Sequence, residues 1–85
     1  MKSFDYVIKD SIGIHARPAG LLVKEAKRFE AVCTLAAGDK SASLKKLIAV
    51  IGLGVKHGSR ITVTAQGPDE DAAIQALEAL MKEYL

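Results

Sequence analysis

Phe4, Tyr6 and Ile8 alternate with Asp5 and Lys9, the two-residue period of a strand with one face buried. From about Ala16 to Phe29 the period changes. Ala19, Leu22, Val23, Ala26 and Phe29 recur at steps of three and four, while Lys24, Lys27 and Arg28 fall mostly elsewhere, which predicts an amphipathic helix. Val32 to Ala36 reads as a second strand, with Cys33 and Leu35 pointing inward. Gly38-Asp39 is a two-residue hairpin turn leading into a short polar strand, Lys40 to Ser43. Leu44, Leu47, Ile48 and Ile51 step like a short helix that stops at Gly52 and Gly54. Ile61 to Ala65 alternates most strongly of all. Gly67-Pro68-Asp69-Glu70-Asp71 then opens a last helix, with proline and acids where a helix start favours them. Its predicted core stripe is Ile74, Leu77, Met81 and Tyr84.

The predicted order is strand, helix, strand, strand, helix, strand, helix. Short, partly hairpin-linked strands with polar outer positions place all the helices on one side of a mainly antiparallel sheet, an α+β sandwich. The 85 residues predict a single domain spanning 1–85. A chain of this size buries only about 60% of its unfolded surface, which leaves little room for an enclosed substrate cavity. The longest apolar stretch, Leu47 to Val55, is far shorter than the roughly 20 residues of a membrane span. Asp5, Lys9 and Asp10 interrupt any export signal, and Cys33 is the 1 cysteine, so no internal disulfide framework is available. These features predict a cytoplasmic protein. Charge adds little: 12 basic against 10 acidic residues leave +2. Basic residues dominate the middle of the chain, which reads first as an ordinary solvated surface and second as one suited to an acidic or phosphorylated partner. With 2 Tyr, 2 Phe and no Trp there is little to stack on nucleic acid.

The chemistry concentrates in Gly13-Ile14-His15-Ala16-Arg17-Pro18-Ala19. No Ser, Thr, Asp or Asn stands at the capping position of the first helix; His15 does, and its Nδ1 has the reach to accept a hydrogen bond from a first-turn amide. A neutral imidazole there is a nucleophile toward phosphorus. Once phosphorylated, its new oxygens would meet the free amides of Ala16 and Arg17 and the Arg17 guanidinium. By themselves these residues leave two readings open: a phosphoryl or anion site, or a helix cap beside a surface charge. His57, in a Lys-His-Gly loop, reads as solvated, and two isolated histidines give no metal site.

Ile12 to Ala19 resembles the active-site signature of the HPr family, the histidine-containing phosphocarriers of the bacterial sugar phosphotransferase system. The resemblance extends through Gly38 to Lys45, Leu53-Gly54, Gly58, Ile61 to Gly67 and the Asp-Glu opening of the last helix, covering essentially the whole chain. It implies an open-faced β-sandwich, a four-stranded antiparallel sheet with three helices on one face. It implies that His15 takes a phosphoryl group on Nδ1 from phosphorylated enzyme I and passes it to a sugar-specific enzyme IIA, that Arg17 stabilises the phosphorylated state, and that no cofactor is needed. Such a protein is a carrier, not a self-sufficient enzyme, and a monomer is the simpler form for one that swaps partners. An apolar patch beside the histidine would dock both partners; the matching positions are Ala16, Ala19, Gly20, Leu47, Ile48, Ile51 and Leu53. One departure matters. Gram-positive members carry a kinase-regulated serine where this chain has Lys46, so that switch is expected to be absent, with Ser41 and Ser43 serving strand and turn hydrogen bonds. Besides the leading reading stand a carrier or regulator in a specialised branch and a binding module that is never phosphorylated.

Overall fold

The computed structural model describes residues 1–85. Strand β1 (Lys2–Val7) leads to helix α1 (Ala16–Ala26), then β2 (Val32–Ala37), β3 (Lys40–Ser43), α2 (Leu47–Gly52), β4 (Arg60–Gln66) and α3 (Glu70–Tyr84). The four strands form one sheet in the order β1-β4-β2-β3, with every neighbouring pair antiparallel. The expected open-faced sheet with three helices is what the chain adopts.

Register explains the one-sidedness. Phe4, Val63, Leu35 and Ala42 lie opposite one another across the sheet, and this row faces the helices. The neighbouring row, Ser3, Thr64, Thr34 and Ser43, faces away from them and carries only hydroxyls. Because side chains alternate with period two, a one-residue slip would exchange these rows and expose the core. Helix α3 packs on β1 and β4, α2 on β3, and α1 against both other helices. Leu22, Leu35, Leu44, Ile61, Val63, Leu77 and Met81 are fully buried, each stabilising the fold by about 1.5–3 kcal/mol relative to exposure. Burial pushes the Cys33 thiol up, which keeps this fully enclosed side chain protonated and packed as a small apolar group. Gly38 alone has positive φ in its turn, +63°, as expected where glycine leads a two-residue hairpin turn.

Three sequence expectations need correcting. Helix α1 ends at Ala26, not near Phe29: the Arg28 and Phe29 amides bond the carbonyls of Glu25 and Ala26, three residues back, and this tightened turn keeps Phe29 against the core. Leu44 does not belong to α2. Its amide donates to the Cys33 carbonyl at 2.8 Å, extending the β2–β3 ladder, and only Val50 of α2 is buried. The α3 stripe is Ala73, Leu77 and Met81 with Ile74 half-buried, whereas Tyr84 is 42% exposed.

Candidate functional site

His15 sits at the N-cap of α1 with extended backbone (φ −122°, ψ −173°), and its carbonyl accepts the first helical bond from Ala19 at 2.9 Å. Its side chain makes no capping bond, contrary to the sequence expectation. The sequence supplies a reason. Capping side chains bond the second or third amide of the helix, and the third residue here is Pro18, which has no N–H. The half-buried ring is thus uncommitted, and Ala16 and Arg17, both exposed, present first-turn amides that have no partner inside the helix.

The segment before His15 is held firmly. The Asp10 carboxylate accepts from the Ile12 amide at 2.8 Å, the Asp10 carbonyl from Gly13 at 3.1 Å, and the Val55 carbonyl from Ile14 at 3.0 Å. Gly13 is buried with φ +87°, and a Cβ there would press on the Val55 carbonyl oxygen and lie 2.6 Å from Lys56 Cα. Only glycine permits both that conformation and that approach.

A shallow depression of about 340 Å³ opens beside the histidine, lined by Asp10, His15, Arg17, Pro18, Leu21 and Tyr84. His15 and Arg17 therefore share one surface, as the motif predicts. Sequence reasoning missed Asp10, Leu21 and Tyr84 as neighbours. Tyr84 continues the spacing of Leu77 and Met81 and so reads as core. What carries it to the site is a tertiary tie: the Leu85 main-chain oxygen accepts from Lys9 at 2.6 Å and Asp10 at 2.9 Å, and Leu85 itself is buried.

The predicted docking positions divide. Ala16 is exposed, Leu47 is 38% and Ile48 79% exposed, and Gly20, Ile51 and Leu53 are half-buried, the last two packed against the core. Ala19 is a correction: it is fully buried, because it shares the inward face of α1 with Leu22, Val23 and Ala26. Lys46 is the exposed N-cap of α2. The Ser43 hydroxyl accepts from the Lys45 amide at 3.1 Å, so it does serve a turn. Lys45 itself reaches back to donate to the Phe29 carbonyl at 2.7 Å.

Residues 2–83 match the family model described as the HPr component phosphorylation site of the phosphotransferase system. The chain belongs to the HPr family. It is 42% identical over 81 residues to the phosphocarrier protein HPr of Mycoplasma capricolum, covering 95% of this chain and 91% of that protein. A solved mycoplasma histidine-containing phosphocarrier protein superposes with a TM-score of 0.95 at 40% identity, over 96% of this chain and 93% of the other. A multiphosphoryl transfer protein of Vibrio cholerae is 49% identical over 73 residues, which cover 82% of this chain but 18% of that protein. This HPr-family chain is a phosphocarrier of the phosphotransferase system and interacts with phosphotransfer partners. No helix of it is long and apolar enough to cross a membrane.

Proposed function

We propose that His15 is the phosphoryl acceptor of this carrier and that Arg17 stabilises the phosphorylated state. The observation behind this reading is an uncapped imidazole, free of intramolecular bonds at a helix start, sharing a depression with a guanidinium. An Nδ1 lone pair forms a bond to phosphorus as the donor's own bond to phosphorus breaks, and the reverse step releases the group to the next acceptor. Arg17 and the Ala16 and Arg17 amides are placed near the helix start where the new phosphoryl oxygens would lie. The donor is phosphorylated enzyme I and the acceptor an enzyme IIA protein or domain, in the cytoplasm, with the carrier acting as a monomeric single domain and not as a self-sufficient enzyme.

The exposed docking surface in this reading is Ala16, Leu47 and Ile48, with Gly20, Ile51 and Leu53 at its margin. Lys46 replaces a phosphorylatable hydroxyl with a fixed positive charge, so transfer runs without a serine switch at that position. The test is intact-protein mass after incubation with phosphoenolpyruvate and catalytic enzyme I, beside a His15→Ala control. Gain of one acid-labile phosphoryl group, lost in the control, is the expected result; an unchanged mass with the cognate enzyme I would overturn the assignment.

A further inference from the structure

Tyr84 is the one residue of α3 that lines the His15–Arg17 depression. Its position is built, because the preceding turn and the following residue are both anchored. Met81 is fully buried, and the Leu85 amide donates to the Met81 carbonyl at 2.8 Å. Leu85 is buried, and its main-chain oxygen receives the Lys9 and Asp10 amides. With its neighbours on both sides anchored, Tyr84 is held at the depression it lines together with Asp10 and His15. Its hydroxyl takes part in none of the fold's side-chain hydrogen bonds. An amphipathic ring, 42% exposed, thus stands beside the acceptor with an uncommitted donor at its tip.

We infer that Tyr84 is a phosphoryl-recognition residue, its hydroxyl donating a hydrogen bond to the phosphoryl group carried on His15 while its ring walls the depression opposite the start of α1. The chemistry is complementary to that of Arg17. A guanidinium neutralises charge, whereas a phenol supplies a directional donor and an apolar wall without adding charge. The Asp10 carboxylate, also lining the depression, is an acceptor only and repels a phosphoryl group. The donors facing the group are therefore Arg17, the first-turn amides and Tyr84. This inference rests on His15 being the phosphoryl acceptor.

The experiment compares the parent protein with Tyr84→Phe and Tyr84→Leu, using catalytic enzyme I and a fixed ratio of phosphoenolpyruvate to excess pyruvate. Intact mass reads the phosphorylated fraction at equilibrium, and the Tyr84 ring resonances are followed by NMR. Tyr6, which lies on β1 against the core, is the internal control. Tyr84→Phe is expected to lower the phosphorylation equilibrium constant about three- to tenfold with an unchanged Tm, and Tyr84→Leu at least as much. Phosphorylation should shift the Tyr84 ring resonances and leave those of Tyr6 in place. Phosphorylation that proceeds with unmoved Tyr84 resonances, or a Tyr84→Phe equilibrium equal to the parent's, overturns this inference alone. Absence of any phosphoryl gain in the parent overturns the acceptor assignment and this inference together.

Discussion

Helices α1 and α3 begin in opposite ways. The start of α3 is filled with the protein's own anions. The N-cap residue Asp69 accepts the Glu30 and Ala31 amides at 2.8 and 2.9 Å, and Glu70 and Asp71 occupy the first turn. Glu70 also accepts the Gly67 amide at 3.1 Å. Neither helix has a side-chain cap, but the start of α1 has no acid in its first turn, so the difference between them lies in the carboxylates. Carboxylates near a helix start complement its positive end and typically stabilise by about 0.3–1 kcal/mol each. One helix takes that stabilisation permanently, and the other leaves the place open where the phosphoryl group proposed for His15 would lie.

The contrast can be broken most forcefully at Gly13, which holds the open end in shape. Gly13→Ala forces a side chain onto the Val55 and Lys56 backbone at positive φ, and is expected to cost about 2–5 kcal/mol in urea unfolding. Phosphoryl acceptance should fall with it, because His15 follows two residues later. A variant of parental stability would show that this approach is not needed.

Next comes the closed end. Hydrogen bonds from the Glu30 and Ala31 amides hold the Asp69 carboxyl below its ordinary value, outweighing the opposing desolvation. A depressed carboxylate contributes stability above its unfolded pKa, about 4, and that contribution is lost as pH falls through the lower folded value. Asp69→Asn is therefore expected to lower Tm at neutral pH and to narrow its gap from the parent as the pH drops below about 4. Glu70, held low chiefly by the Met1 amino group, and Asp5, held low chiefly by the Thr62 hydroxyl, titrate in the same sense. They remain in both proteins, so the difference between the two melting profiles isolates Asp69. A gap that does not change with pH would deny the carboxylate its part.

The smallest expected effect sharpens the comparison by making α1 resemble α3. Ala16→Asp places a permanent carboxylate at the open start and is expected to stabilise the fold by about 0.3–1 kcal/mol. The same charge should repel an incoming phosphoryl group, so thermal stability and phosphoryl uptake should move in opposite directions. Parallel movement of the two would undo the contrast.

The sequence makes the elements legible wherever periodicity and burial coincide. Phe4-Tyr6-Ile8, Cys33-Leu35 and Ile61-Val63-Ala65 all point inward as their alternation predicts. His15 and Arg17 are legible as a pair from the motif, and the depression that both line brings them onto one surface. Tyr84 and Asp69 are not. Tyr84 keeps the apolar spacing of α3 one turn past the core, and its surroundings are decided by the Lys9 and Asp10 amides far away in sequence. Asp69 reads as a helix-start acid, yet its carboxylate serves the backbone of Glu30 and Ala31. Ala19 shows the reverse error. A motif places it beside the histidine, but the helical period turns it inward.

The meeting of Asp10 and Tyr84 in one depression also bears on how the protein folds. These residues lie near opposite ends of the sequence, so the wall of the site forms only when the longest loop in the molecule closes. The segment leading into α1 is already held by the distant Val55–Lys56 backbone, and its surroundings are completed by contacts of still larger sequence separation. A partly folded chain would hold an accessible histidine without the environment proposed to retain a phosphoryl group, so carrier capacity is expected to appear with the native state and not before it.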